Sequence, residues 1–242
     1  DAYLRTGFEP SWFEAITTAA YILFHKNQCD PVILEVGLGG RLDATNATEP
    51  KVALITSLSL EHTEVLGNTM SDIAYEKAQV IKSGTAAITV PQCDEAMREL
   101  LRRTEQVCAQ LHKIEGSHIE CAMGANCVFS IAGQCIEFVR CFESDVLHLD
   151  CALAASGYVA FVGSSIPSSF PRFFDLRGRY EWGRAAARVI LLDGAHTPES
   201  ISSLLDFAAA RFDSFEMYFS CMTDKRIFEI CRIIRSHEDK LR

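Results

Sequence analysis

The chain has 242 residues, 48% of them apolar and 23% charged, with a formal net charge of −9 at pH 7. That is an ordinary globular composition, and the acidic balance argues against nucleic acid as the main partner. It does not exclude an anionic substrate, because surface charges are largely screened beyond about 8 Å. No apolar run reaches the length of a membrane span, and DAYLRTGFEP is no signal peptide, so no membrane partner is expected. Ten cysteines without a CxxC pair argue against a zinc or redox motif. They suit a reducing compartment, cytoplasmic or mitochondrial. The missing initiator methionine leads us to expect a piece of a longer protein.

Residues 11–26 carry Phe13, Ile16, Ala20 and Leu23 on one helical stripe, with Ser11 and Glu14 placed as a capping box. Short apolar runs at 31–36, 52–57 and 86–90 read as strands, and helical patterns fill 70–82 and 94–113. This alternation predicts an α/β fold with a parallel sheet flanked by helices. Residues 127–140 read as a hairpin turning at Gly133, and 146–162 as a helix. The stretch SSIPSSFPRFF, 164–174, reads as a linker. A new β-α-β unit is expected beyond it: strand 188–193, helix 199–212, strand 216–220 and a last helix.

Ligands of open parallel sheets bind at the carboxyl ends of the strands. Glu35, in EVGLGGRLDATN, lies near such an end, and so does Asp193 of RVILLDGAH. GLGG does not match GxGxxG, and the chain holds no GxxxxGK[ST] phosphate loop. The glycine-rich loop is therefore not a phosphate cradle. An unpaired carboxylate costs several kcal/mol to bury, so Glu35 either leans into solvent or meets a cation.

Three stretches in order carry a resemblance: EVGLGGRLDATN, then SLSLEHTEVLGNTMSDIAYEKAQVIKSG at 57–84, then LLDGAHTPES at 191–200. Together they resemble the folylpolyglutamate synthases, which belong with the Mur ligases. The resemblance implies a Mur-ligase-like central α/β domain over 1–165, a linker at 166–176, and a partial Rossmann-like glutamate ligase domain over 177–242. It also implies a monomeric ATP-dependent ligase. Such a ligase turns a folate or dihydropteroate carboxylate into an acyl phosphate, which the amine of L-glutamate attacks.

By that resemblance Glu35 and His62 are ligands of Mg2+, and Lys77 is a carbamylated lysine beside the metal with a catalytic part. The residues alone offer alternatives: His62 as a helix cap and Lys77 as a snorkelling surface lysine. Lys77 shares a helical stripe with Ile73, Val80 and Ile81, where burial favours the neutral amine. Asp43, Ala44 and Ser11 match pterin-contacting positions, and Ser11 is equally explained as a cap. Arg41 is as well read as structural as anion-binding. Arg179 matches an ATP-binding arginine. Asp193 and His196 match the nucleotide and glutamate side, His196 with a catalytic part, and Asp193 is alternatively a helix cap.

Two departures stand out: the phosphate loop is absent, and His148-Leu149-Asp150-Cys151-Ala152 lacks the asparagine of HQxxNA. Thr197 stands where many relatives have asparagine. The first hypothesis is therefore a folylpolyglutamate synthase, with dihydrofolate synthase as a second activity suggested by GRLDATN. The rival is a truncated, inactive paralogue that binds folate or a partner. The 242-residue chain alone is expected to be inactive.

Overall fold

The computed structural model describes residues 5, 7, 9–114, 126–131, 134–139, 144–166, 176–223 and 225–242. It forms two compact units, Asp1–His112 and Lys113–Arg242. The division between the units falls at His112–Lys113, and the motifs led us to expect a central domain running to 165. The expected Gly133 turn and the core of the linker, 167–175, lie outside the described residues.

In the first unit, α1 (Trp12–Lys26) starts with the expected capping box. Ser11 Oγ accepts the Glu14 N–H at 3.3 Å, and Glu14 Oε2 accepts the Ser11 N–H at 2.7 Å. Its predicted apolar stripe is not a core face, since Phe13, Ile16 and Leu23 are exposed. Strand β1 (Val52–Ile55) pairs in parallel with β2 (Ala86–Thr89), and β3 (Gln110–Lys113) completes the sheet in the order β1-β2-β3. The run at 31–36 forms no strand and has no ladder partner, and Ile33 is 91% exposed.

Helix α2 (Thr63–Leu66) is one turn, and α3 (Met70–Ala78) begins at a Thr69/Asp72 capping box. Helix α4 (Asp94–Gln106) ends earlier than expected. Cys108 takes the left-handed region (φ 53°), which breaks the helix and turns the chain into β3. Ala53, Ile55, Ala78, Ile81, Ala87 and Leu100 form the core between sheet and helices. Ile81 and Leu100 are fully buried, and truncating either to alanine costs about 2–5 kcal/mol.

The second unit opens with the antiparallel hairpin β4 (Asn126–Ile131) and β5 (Gln134–Val139). Helix α5 (Asp145–Val162) is capped by Ser144 and is long and apolar enough for a membrane span, which sequence reading had not found. Its apolar character serves packing: Ala152, Leu153, Ala155, Ser156 and Gly157 are all buried.

Strand β6 (Glu181–Ala185) pairs antiparallel with β7 (Arg188–Leu192), and α6 (Pro198–Ala209) and α7 (Ile227–Arg235) follow. The expected β-α-β is not formed. Residues 216–220 make no strand, and the adjacent Phe215 makes one isolated bridge to Leu241. Ile201, Leu205 and Ile230 form the core of this unit.

Candidate functional site

The glycine-rich loop of the first unit is tied at both ends. Asp43 Oδ2 accepts the N–H groups of Gly37 at 3.0 Å and Leu38 at 2.9 Å. Its Oδ1 accepts the N–H of Thr45 at 2.9 Å and the Thr45 hydroxyl at 2.6 Å. A carboxylate offers about four acceptor sites, so Asp43 is committed to shaping the loop that was expected to touch pterin. Partial burial pushes the Asp43 carboxyl up, but hydrogen bonds from Thr45, Leu38 and Gly37 outweigh it and hold it below its usual range.

The loop then sits on the last turn of α3. A β-carbon on Gly40 would stand 2.7 Å from the Glu76 carbonyl oxygen and 3.2 Å from the Lys77 Cα. Only glycine allows this approach. Beside it, Arg41 Nε donates to Glu76 Oε1 at 2.8 Å. Further along, Asn46 Nδ2 donates to the Gln79 carbonyl at 3.3 Å, and Lys82 Nζ to the carbonyls of Asn46 and Thr48, both at 2.6 Å. Tyr21 donates its hydroxyl to the Thr45 carbonyl at 2.8 Å. Ala44 opens the short 3-10 turn Ala44–Ala47, half-buried.

Lys77 is half-buried in the final turn of α3, and Ile73 and Ile81 are fully buried on either side of it. The helix stops at Ala78, so Val80 and Ile81 follow it as a turn and do not extend the stripe. Glu35 is exposed. His62 precedes α2 with a left-handed backbone (φ 53°) and makes no side-chain cap bond, so the capping alternative is not what is seen. Such a backbone is costly for a residue with a β-carbon and collects at functional sites. Among the described residues, no three His, Cys, Asp or Glu side chains gather as a metal nest.

In the second unit, Asp193 repeats the device of Asp43. Its Oδ2 accepts the Tyr180 N–H and its Oδ1 the Ala195 N–H, both at 2.8 Å. It does not cap α6, because Thr197 does, accepting the Ser200 N–H at 3.2 Å. Threonine and asparagine are both good caps, which explains why threonine serves at this position. The Gly194 N–H donates to the Gly178 carbonyl at 2.9 Å, closing the two loops on each other.

That closure lays the Arg179 guanidinium against Gly194. His196 Nδ1 lies 2.7 Å from the Gly194 carbonyl, which only accepts, so Nδ1 carries the proton. In that tautomer Nε2 is the acceptor. Burial pushes the Asp150 carboxyl up, and the Arg179 charge partly counters it.

Residues 9–143 match the Mur ligase middle domain. The chain belongs to the Mur ligase middle-domain family. It is 32% identical over 212 residues to a folylpolyglutamate synthase of Arabidopsis thaliana, covering 80% of this chain and 36% of that protein. It is 29% identical over 246 residues to the dihydrofolate synthase/folylpolyglutamate synthase of Bacillus subtilis, covering 90% and 54%. The solved Mycobacterium tuberculosis folylpolyglutamate synthase complexed with ADP superposes with a TM-score of 0.81 at 27% identity, covering 98% of this chain and 56% of that one. The chain thus spans between about a third and just over half the length of these relatives.

Within this Mur ligase chain, sequence reasoning missed Glu76, Asn46, Lys82, Tyr180 and Asp150. Glu76 had a signal, since it immediately precedes Lys77 in the EKA stretch. Asn46 closes DATN and was passed over because its bond runs to a segment far along the chain.

Proposed function

We propose that this chain is the middle part of an ATP-dependent ligase that adds L-glutamate to a folate carboxylate. The observation that carries the reading is the seating of GLGGRLDATN on the turn of Lys77, through Gly40, Arg41 and Asn46. The relatives aligned over most of the chain support it. In this reading ATP phosphorylates the carboxylate, releasing ADP, and the glutamate amine displaces phosphate from the acyl phosphate to form the amide.

Glu35 offers the hard oxygen that Mg2+ prefers, and His62 would add an imidazole, with water and phosphate oxygens completing the shell. A magnesium ion held there would neutralise charge on the transferring phosphoryl group. Lys77, half-buried at the end of α3, is the residue we assign to carbamylation: its amine would attack carbon dioxide. The C–N bond would form, a proton would leave to solvent, and an anionic carbamate would remain, suited to a divalent cation. Arg179 would offer its guanidinium to phosphate oxygens, and His196 Nε2 would accept a hydrogen bond from the incoming glutamate amine. Asp43 and Asp193 hold the two loops in shape, so we assign Asp43 to shaping the pterin-side loop, with Ala44 and Ser11 as the other pterin-side residues.

The experiment is incorporation of labelled glutamate by the full-length protein, with ATP and either tetrahydrofolate or dihydropteroate as acceptor. ATP-dependent labelling of tetrahydrofolate is expected, and labelling of dihydropteroate establishes the second activity. No labelling of either acceptor defeats the reading.

A further inference from the structure

We propose that Arg41 and Glu76 are positioning residues, whose ion pair fixes the register of the glycine-rich loop on the turn that carries Lys77. The inference rests on the reading of Lys77 as an active-site residue. Gly40 meets α3 through its bare backbone, at the carbonyls of Glu76 and Lys77. Such a contact is close but carries no direction, and the bonds from Asn46 to the Gln79 carbonyl and from Lys82 to the Asn46 and Thr48 carbonyls tie only the far end of the stretch. Asp43 pins the loop to itself, through Gly37, Leu38 and Thr45, and gives no bond to the helix.

The next residue after Gly40 supplies the directional tie at the glycine end. Arg41 Nε meets Glu76 Oε1 at 2.8 Å, and the Glu76 side chain is only 16% exposed. The Arg41 guanidinium also lies over the Tyr75 ring, 6.0 Å from its centroid. One side chain therefore grips two consecutive positions, Tyr75 and Glu76, immediately before Lys77. A fork-shaped guanidinium fixes direction where an ammonium does not. A displacement of about 1 Å at a reacting group lowers rate up to roughly 100-fold. The rival role is direct contact of Arg41 with an anionic substrate.

Arg41→Gln, Glu76→Gln, the double variant and the exchange Arg41→Glu/Glu76→Arg separate the two roles in the full-length protein. If the pair positions the loop, both single variants lower kcat by about the same factor, roughly 10- to 100-fold. The KM values for folate, ATP and glutamate then stay within about twofold, and the double variant is no worse than either single one. The exchange recovers part of the loss, and Arg41→Lys recovers less than its charge alone would. Amide hydrogen exchange at Gly37, Leu38 and Gly40 speeds up in both single variants while the far-UV circular dichroism is unchanged.

The proposal is overturned if Arg41→Gln raises one KM at unchanged kcat while Glu76→Gln behaves as wild type. It is equally overturned if exchange at Gly37 to Gly40 is unaltered in both variants. Should the unmutated protein show no ligase activity, the functional reading fails, and the exchange measurement still decides whether the pair holds the loop.

Discussion

Gly40 and Glu76 are packed so closely that a β-carbon on Gly40 would stand 2.7 Å from the Glu76 carbonyl oxygen. The obstacle is helix backbone, which cannot rotate aside as a side-chain tip can. Gly40→Ala must therefore push the loop off α3. Forcing an extra methyl into a filled space costs typically about 1–3 kcal/mol. The expected outcome is a lower Tm together with a fall in kcat/KM. An alanine variant with unchanged Tm and activity would show that the loop is not seated on α3.

Asp43 gives a prediction with a pH sign. Its carboxyl is held below the usual range because, despite partial burial, the hydrogen bonds from Thr45, Leu38 and Gly37 favour the charged form. A depressed folded-state pKa contributes stability that is present above the unfolded value of about 3.9 and lost as pH falls. Asp43→Asn should therefore lower Tm at neutral pH and converge with the wild type in acid. Kinetically, the variant should be impaired with every substrate alike, because it loosens the whole loop. Loss confined to a pterin acceptor would return Asp43 to the role of a direct contact.

His237 carries the opposite sign. The Ile233 carbonyl lies 3.1 Å from its Nδ1, and Asp206 Oδ1 lies 3.1 Å from Nε2. A neutral ring can donate to one of these acceptors and an imidazolium to both. The Ile233 carbonyl and then Asp206 accordingly raise its pKa against the opposing effect of burial. Stability from this pair is complete below the unfolded pKa of about 6.5 and is lost as pH rises through the folded value. Because the Asp206 side chain is 68% exposed, the gain is under about 1 kcal/mol and fades in salt. The Tm difference between wild type and His237→Gln should shrink between about pH 6 and pH 8. A difference that grows with pH would contradict the pairing.

The elements that were legible in sequence are those whose signals are local. The Ser11/Glu14 box opens α1, and the alternation of β1, α3 and β2 gives the parallel sheet. The hairpin β6–β7 was missed because its turn is Ala186-Ala187, with Ala186 at φ 54° and no Asn-Gly signature. The end of α4 was missed because nothing in the residue type of Cys108 announces a left-handed backbone. Residues 31–36 have strand composition, but a strand also needs a neighbour to pair with, and composition cannot supply one.

The site divides in the same way. The loop, Lys77 and DGAH were visible as motifs. The ties between segments were not, because Arg41 and Glu76 are 35 positions apart, and Lys82 and Asn46 are 36 apart. For Asp43 and Asp193 the residue type was legible but the direction was not. Both carboxylates turn inward onto backbone N–H groups.

Thr197 tests how far the second loop depends on its cap. It accepts the Ser200 N–H at 3.2 Å, while Ser200 Oγ accepts the N–H groups of His196 at 3.1 Å and Thr197 at 3.0 Å. Thr197→Asn should keep both stability and activity, since asparagine caps at least as well. Thr197→Ala should cost about 1 kcal/mol and loosen His196. Unequal loss in the asparagine variant would point to a substrate contact by the threonine itself.

Lys77 gives the most direct test of the ligase reading. It is half-buried at the end of α3, between the fully buried Ile73 and Ile81, in a stretch whose neighbour Glu76 is taken by Arg41. An ammonium in that position contributes a positive charge, whereas a carbamate contributes a negative one suited to a divalent cation. Lys77→Ala in the full-length protein should fold with unchanged circular dichroism and lose most of its glutamate incorporation. Short carboxylates supplied in solution should restore part of the rate by standing in for the carbamate. Glu35→Gln should lose activity as well, without such rescue and with a raised magnesium requirement. Full activity of Lys77→Ala without any additive would reduce the residue to a helix lysine, and rescue by an ammonium compound would reverse the sign of the charge assigned to it.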